Sequence, residues 1–482
     1  MCSVQSGSCP GLTLGGSLTD LVAKGAMDSY LTDCPCVSFF RFRYNKYTNF
    51  VMEGIEQPFN TQVGFGSDAS LVLNRTGDLL YWQYVVIDLP AIIACPSTAV
   101  SGFGTVQFPC ADPCDPCGDG PAPECTCPGV SSPPEVGTTA VVESGLDLLA
   151  EIDTCTGLTR PWAHYTNAIG QFLVKKACLA IGGQAVDTLT NDYLFMWEEL
   201  AGQPGKRLTE MIGKRFTIAQ LVADSKVDRR LYVPLPWWFT LISGNALPLV
   251  ALQFHGVTVH VCFETLARSI QVSDCAGIQV LKCADGLPIT NNDLRARIDS
   301  VYIYLDLEER TSFACCCFEK LITQVQSLYL PCSVGSHIRA QLNFNHPIIE
   351  IIWAVRRCCQ DRAGNHFNYS GKWGRDPIIS ASLKLNNQAR FGGREGRYFR
   401  LVQPWQHHTN IPDGFIYNYS FALAPEDAQP SGSSNWSRID NVELFLELQP
   451  QLATEDVETI ILVRSHNILK FREGLAGLLF TN

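Results

Sequence analysis

The stretch "FNHPIIEIIWAVRR", Phe344–Arg357, passes from a polar turn into an apolar run and ends on two arginines. His346 precedes Pro347, and the proline ring disfavours helical geometry in the residue before it, so extended backbone is expected there. Asn343 and Asn345 suit a turn, after which "IIEIIWAV" reads as a buried strand. His346 is therefore expected to be a hydrogen-bonded loop residue at a strand entrance, not a catalytic base. Outward from this run the same texture recurs. "SLVLNRTGDLLYWQYVVIDL", "LPLVALQFHGVTVHVCF", "VYIYLDL", "IISASLKLNN", "VELFLEL" and "TIILVRSHNILKF" are short β-branched and aromatic runs separated by turn signals. That spacing marks a β sandwich or barrel, and too few long helical patterns exist for alternating βαβ units.

The chain of 482 residues is long for one core, so two domains are expected. It also echoes itself. "YVVIDLP" at 84–90 resembles "YIYLDLE" at 302–308, an offset of 218, and "CLAIGGQAVD" at 178–187 resembles "LKLNNQAR" at 383–390, an offset of about 205. Gly-Gly and Asn-Asn suit tight hairpins whose central residues need positive φ. The pairs point to a duplicated β unit with its seam near Asp228–Pro236. Residues 1–30 read as an N-terminal arm with a helix from Leu18 to Tyr30, 31–230 as the first unit and 231–482 as the second. Two excursions interrupt the strands. Asn191–Gly213 reads as helix, Gly-Pro-Gly break, helix, and Glu308–Leu330 carries a short helix near its end.

Net charge is −11, with 47 acidic and 36 basic residues, and no basic tail or groove tracks phosphates, so no direct nucleic-acid contact is expected. Arg41 and Arg43, and Arg229 and Arg230, read as residues of solvated or inter-subunit faces. A charged fraction of only 17% suggests that much of the surface is covered by other copies. The first thirty residues lack a signal-peptide pattern, and no apolar run is long enough to span a bilayer. Sequons stand at Asn74, Asn368, Asn418 and Asn435. Among 21 cysteines, Cys95, Cys110, Cys114, Cys117, Cys125 and Cys127 share one Pro/Gly/Asp-rich segment. Zinc in the Cys110–Cys127 loop is the single cofactor considered, although the spacing misses the usual paired pattern. Cys315, Cys316 and Cys317 cannot all face one core and read as filler.

Catalytic motifs are missing. There is no G-x-S-x-G elbow, Walker loop or H-E-x-x-H. His407 and His408 would face opposite ways on a strand, which argues against a shared metal. Glu198 and Glu199 read as a bonded or solvated helix face, and Glu308 and Glu309 as a charged rim after a strand. A glycosidase would need two carboxylates converging from different strands, which the sequence does not single out. A glycan-binding module would need an exposed aromatic platform, and Trp237 and Trp238 sit inside an apolar run. No catalytic, cofactor-binding or metal-ligating residue is assigned.

Larger segments carry a resemblance. "CPCVSFFRFRYNKYTNFVMEGIEQPFN" (34–60), "LNRTGDLLYWQYVVIDLP" (73–90), "YTNAIGQFLVKKACLAIGGQAVD" (165–187) and "LFMWEEL" (194–200) resemble the major capsid proteins of nucleocytoplasmic large DNA viruses. So do "LYVPLPWWFTLISGNALPLVALQFHGVTV" (231–259), Phe344–Arg357 itself, and above all "GREGRYFRLVQPWQHHTNIPDGFIYNYSFALAPEDAQPSGSSNWSRIDNVELFLEL" (393–448). The resemblance implies an all-β chain of two tandem eight-stranded antiparallel jelly rolls with short helices in the inter-strand loops. It implies a structural protein, not an enzyme, that forms homotrimeric pseudo-hexagonal capsomers tiling an icosahedral shell. Implied partners are neighbouring trimers, minor capsid and penton proteins, an inner membrane beneath the shell, and glycans on or at the outer loops. The implied location is the virion, assembled in the host cytoplasm. Cys36 departs from the family pattern, standing where relatives often have Glu, and the 95–140 segment has no clear equivalent.

Overall fold

A computed structural model of the chain describes residues 15–23, 25, 32, 34–42, 44–95, 162–272, 279–281, 289–362 and 364–481. It resolves into two units, Met1–Asn49 and Phe50–Asn482. In the first unit, helix α1 spans Gly15–Val22 and ends well short of the expected Tyr30, with Ala23 already outside it. Beyond it Phe39, Phe40, Phe42, Tyr44 and Tyr47 lie exposed. The first strand starts only at Phe50, so the first roll begins some twenty residues later than the expected 31.

Sixteen principal strands follow. β1 (Phe50–Pro58), β2 (Asp68–Val72), β3 (Leu79–Leu89), β4 (Val174–Ile181), β5 (Gln184–Thr190), β6 (Arg229–Pro234), β7 (Val257–Phe263) and β8 (Arg295–Leu305) form the first set. β9 (Phe318–Val334), β10 (His337–Gln341), β11 (Pro347–Arg357), β12 (Ile378–Leu385), β13 (Gln388–Glu395), β14 (Tyr417–Ser420), β15 (Val442–Leu448) and β16 (Asp456–Arg472) form the second. The first set pairs in the orders β1-β8-β3-β6 and β2-β7-β4-β5; the second pairs as β9-β16-β11-β14 and β10-β15-β12-β13. Adding eight to each label converts one set into the other. Two four-stranded antiparallel sheets wound in this order make a jelly roll, which pairs strands across the fold and leaves few open edges. The chain contains two.

The expected seam at Asp228–Pro236 is corrected by this pairing. That segment is β6, bonded to β3 from Tyr84↔Pro234 to Leu89↔Arg229, and β7 and β8 also return to the first roll. The strand sets change over between Leu305 and Phe318. There Asp306 caps helix α5 (Leu307–Cys315) by accepting from the Leu307 N–H. The helix expected near the end of Glu308–Leu330 thus stands at its beginning, and the remainder is β9. Only one of the two echoes is a true repeat. Residues 84–89 and 302–305 lie on β3 and β8, adjacent strands of one sheet, as in Arg295↔Asp88. By contrast "AIGGQA" and "KLNNQA" are the equivalent β4–β5 and β12–β13 hairpins. Gly182 and Gly183 take φ of 58° and 82°, and Asn386 and Asn387 take 47° and 64°, the left-handed geometry that a two-residue hairpin demands.

The fold-deciding stretch explains its own lack of alternation. Successive strand residues face opposite sides, so an unbroken apolar run means burial on both faces. Ile351, Trp353 and Val355 of β11 point into the second roll with Leu383, Leu444, Ile461 and Val463. Ile352 and Ala354 point the other way and join the first roll's core, with Ile460 and Leu462 of β16 beside them. The core therefore runs from one roll onto the outer face of the other. Trp353→Ala is expected to cost about 3–5 kcal/mol of unfolding free energy. Trp82→Ala, on an exposed position of β3, should cost less than about 1 kcal/mol. Urea denaturation of both variants checks the contrast.

Candidate functional site

The second roll's β11 brings polar residues to the same face as Ile352 and Ala354, at either end of the apolar contact. Glu350 and Arg356 are both almost fully buried there. Opposite them lies helix α2 (Asn191–Ala201) of the first roll, which begins directly after β5 and is capped by the Thr190 hydroxyl accepting from the Tyr193 N–H. The seam between the rolls is thus a band of charge framing an apolar centre.

At one end, Arg356 donates to Asp192 of α2 at 3.0 Å and to Glu458 at 2.5 Å. Tyr369 donates to the same Asp192 oxygen at 2.7 Å. Arg268 of the first roll reaches both oxygens of Asp361 in the second, at 2.7 and 2.8 Å, and His366 meets Asp361 at 2.6 Å. Phe195 stacks on Phe367 with ring centres 4.3 Å apart. Burial alone would raise the Asp192 and Asp361 carboxyls. The neighbouring Arg356 and His366 charges and hydrogen bonds outweigh it and hold both far below the ordinary range.

At the other end, Glu350 accepts from Arg464 at 2.8 Å and from His408 at 2.8 Å, while the second ring nitrogen of His408 meets Glu426 at 2.8 Å. With a carboxylate at each ring nitrogen, the imidazole is held as a double donor. Burial pulls the His408 pKa down, but Glu350 and Glu426 outweigh it and raise it to about 9. Burial likewise pushes Glu350 up, and His408 and Arg464 bring it down to about 2. The Arg464 guanidinium lies over the Trp197 ring of α2 at 4.0 Å, which links this cluster to the first roll. Between the clusters, β5 meets β9. Asp187 accepts the Val325 N–H at 3.0 Å, Tyr329 donates to Thr190 at 3.0 Å, and Gln324 donates to the Val186 carbonyl. Asp187 is pushed up to about 7 by burial, against the lowering effect of the Val325 and Thr188 N–H groups.

The residues weighed in the sequence fall as follows. His346 stands buried at the entrance of β11, its N–H donating to Ser437 at 2.8 Å and its carbonyl accepting from Trp436 at 3.2 Å. Its φ is 73°, not extended; those two bonds hold the left-handed turn. His407 and His408 lie at the end of helix α6 (Gln403–His407), not on a strand, and only His408 enters the seam. Glu199 is buried and paired with Lys214, and burial pushes half-buried Glu198 to about 7. Glu308 and Glu309 form the first turn of α5. Trp237 and Trp238 are buried, with Trp237 donating to Gln83 at 2.9 Å, so neither is a platform. Cys315, Cys316 and Cys317 are exposed and fill no core. Arg229 pairs with Asp224 and Arg230 with Asp88. The Cys110–Cys127 loop considered for zinc, and Arg43, lie outside the described residues. Sequence reasoning missed Glu350, Arg356 and Arg464, as well as the Cys332–Cys358 disulfide that ties the end of β9 to the end of β11. A signal for two of them was present: Glu350 stands alone inside the apolar "IIEIIWAV" and Arg464 directly follows the apolar "IILV".

Residues 309–477 match the family described as the large eukaryotic DNA virus major capsid protein, and residues 38–110 and 146–306 match the major capsid protein N-terminus. The junction between the two matches coincides with α5. The chain is 31% identical to the major capsid protein of Pyramimonas orientalis virus, over 97% of this chain and 100% of that one. It is 28% identical to that of Paramecium bursaria Chlorella virus 1, over 97% and 100%. The fold superposes on the PBCV-1 virus capsid with a TM-score of 0.67 at 25% identity, covering 92% of this chain and 100% of the other. Two jelly rolls locked side by side by a buried seam define a double jelly-roll capsid protein, a structural protein and not an enzyme. The chain belongs to the major capsid protein family of large eukaryotic DNA viruses.

The seam makes stability pH-dependent with a definite sign. The depressed carboxylates Asp192, Asp361 and Glu350 stabilise the fold above about pH 4, and that contribution is lost as pH falls through their folded values. His408 is raised, so its contribution is complete below about pH 6.5 and is lost as pH rises through about 9. Asp187, a raised carboxyl, costs the fold stability progressively from about pH 4 to about 7, and adds no further slope above that. The melting temperature is expected to fall by several degrees between pH 6.5 and 9.5. His408→Gln should lower it at pH 6.5 and flatten the alkaline decline. Calorimetry across that range checks both; an unchanged alkaline slope in the variant would exclude His408 as its source.

Proposed function

We propose that this chain is the major building block of the icosahedral shell of a large double-stranded DNA virus, acting as a homotrimer. The carrying observation is the label-plus-eight repeat: two rolls of one topology, fixed side by side in one chain. Three such chains supply six rolls, so ordinary threefold symmetry yields a nearly hexagonal block that can tile a flat facet. On this reading the domain division is an arm of 1–49, a first roll of 50–306 and a second of 307–482.

The finer partners follow from the arm and the loops. From Val37 to Asn49 the arm carries aromatics with Arg41, Arg43 and Lys46 and no acidic residue. Such a segment suits minor capsid proteins or an anionic inner membrane beneath the shell, and penton proteins at its vertices complete the set. Of the four sequons, Asn74 and Asn435 are exposed, whereas Asn418 is fully buried in β14. Glycans therefore belong at the first two. Assembly in the host cytoplasm fits this set of partners.

Light scattering on the size-separated protein should give a particle near three times 53.2 kDa that persists on dilution. A particle that stays at the mass of one chain at every concentration would refute the trimer.

A further inference from the structure

The seam inside the chain predicts the seam between chains. Within the chain, β5 and the helix that follows it, α2, pack on β9 of the other roll. The repeat gives each of these an equivalent. β5 corresponds to β13, and α2 corresponds to the helical turn Tyr398–Val402 that continues into α6. β9 corresponds to β1. Since β9 is already taken by β5, the strands β13 and β1 have no such roll-to-roll strand partner among the described residues.

Both surfaces look like halves of an interface. Every residue of β13 except half-buried Phe391 is exposed. The helix after it turns Leu401, Val402 and Trp405 to solvent. Trp405 is 72% exposed, whereas Trp197 of α2 is 8% exposed beneath the other roll. On the other surface Phe50, Val51 and Met52 of β1 are exposed. Charge is complementary. Arg390, Arg394 and Arg397 line the first surface, with Glu395 the acidic exception. Glu53 and Glu56 line β1, and Asp299 of the adjacent β8 adds a carboxylate whose Oδ1 is buried without a hydrogen-bond partner.

We infer that the β13–α6 face of one copy of this chain docks on the β1 edge of the next, with Arg390 and Arg394 against Glu53 and Glu56 and with Trp405 as the apolar anchor. The contact is heterologous, and because it repeats the internal one it closes after three chains, giving six alternating seams. Exposed charges at the rim set orientation and encounter rate, and the large aromatic side chain supplies most of the truncation-sensitive area.

This inference rests on the trimer reading, and the test separates the two. Full-length wild type, Arg390→Glu/Arg394→Glu, Glu53→Arg/Glu56→Arg, the four substitutions combined, and Trp405→Ala are compared by light scattering across a dilution series. Thermal unfolding of each, together with far-ultraviolet circular dichroism, verifies that the rolls remain folded. Each charge-reversed pair should weaken trimerisation by roughly 100-fold or more, and the combination should restore much of the loss. Trp405→Ala should weaken it by at least about 10-fold. A wild type that is monomeric overturns the trimer reading. A trimeric wild type whose folded variants remain equally trimeric overturns only this pairing of faces. So does dissociation by each pair without recovery in the combined variant.

Discussion

The burial of β11 on both faces is the constraint on which the rest depends. A strand at the surface of an isolated roll needs one apolar side; this one has two, and the second is useful only if another roll lies against it. Ile352 and Ala354 would be exposed if the rolls parted, as would Ile460 and Leu462 on β16. The two rolls therefore fold as one body. The connections after β5 and β11 can vary around it without moving the pairing of strands.

The charged frame around that apolar centre is costly, since burying ions forfeits their hydration, and it is worth keeping only where partners are well placed. Here each buried ion has one: Arg356 has Asp192 and Glu458, Glu350 has Arg464 and His408. Apolar contact alone would tolerate sliding of one roll over the other. A guanidinium shared between carboxylates of both rolls does not, because a shift of one residue leaves an unpaired charge in a dry interface. The apolar centre holds the rolls together and the charges set their register.

Much of this fold was legible. The strand texture, the Gly182-Gly183 and Asn386-Asn387 hairpins and the helix–Gly-Pro-Gly–helix excursion all follow from local chemistry, and the structure has them. The boundary at 230 was not legible, because β6, β7 and β8 are ordinary strands whose assignment depends on partners far earlier in the chain, as in Phe50↔Leu305. Local pattern says that a strand exists, not what it pairs with. His346 failed differently: the rule for a residue before proline is a bias, and bonds to Ser437 and Trp436 override it. His408 was misjudged because the alternation of a strand was applied to residues that end a helix. Lone charges within apolar runs were the overlooked sign, for Glu350 and Arg464 pair across strands far apart in the chain.

The tether between the rolls also has a kinetic meaning. The helix α5 and its flanks confine β9 near β5, so the internal seam forms at a high effective concentration and its rate does not depend on how much protein is present. Desolvated ion pairs, slow to bring into alignment, are tolerable there. Any contact between separate chains has no such leash and must be found by diffusion. The chain thus carries an order of events in its connectivity: the covalently joined pair of rolls is complete and rigid before it meets a second copy.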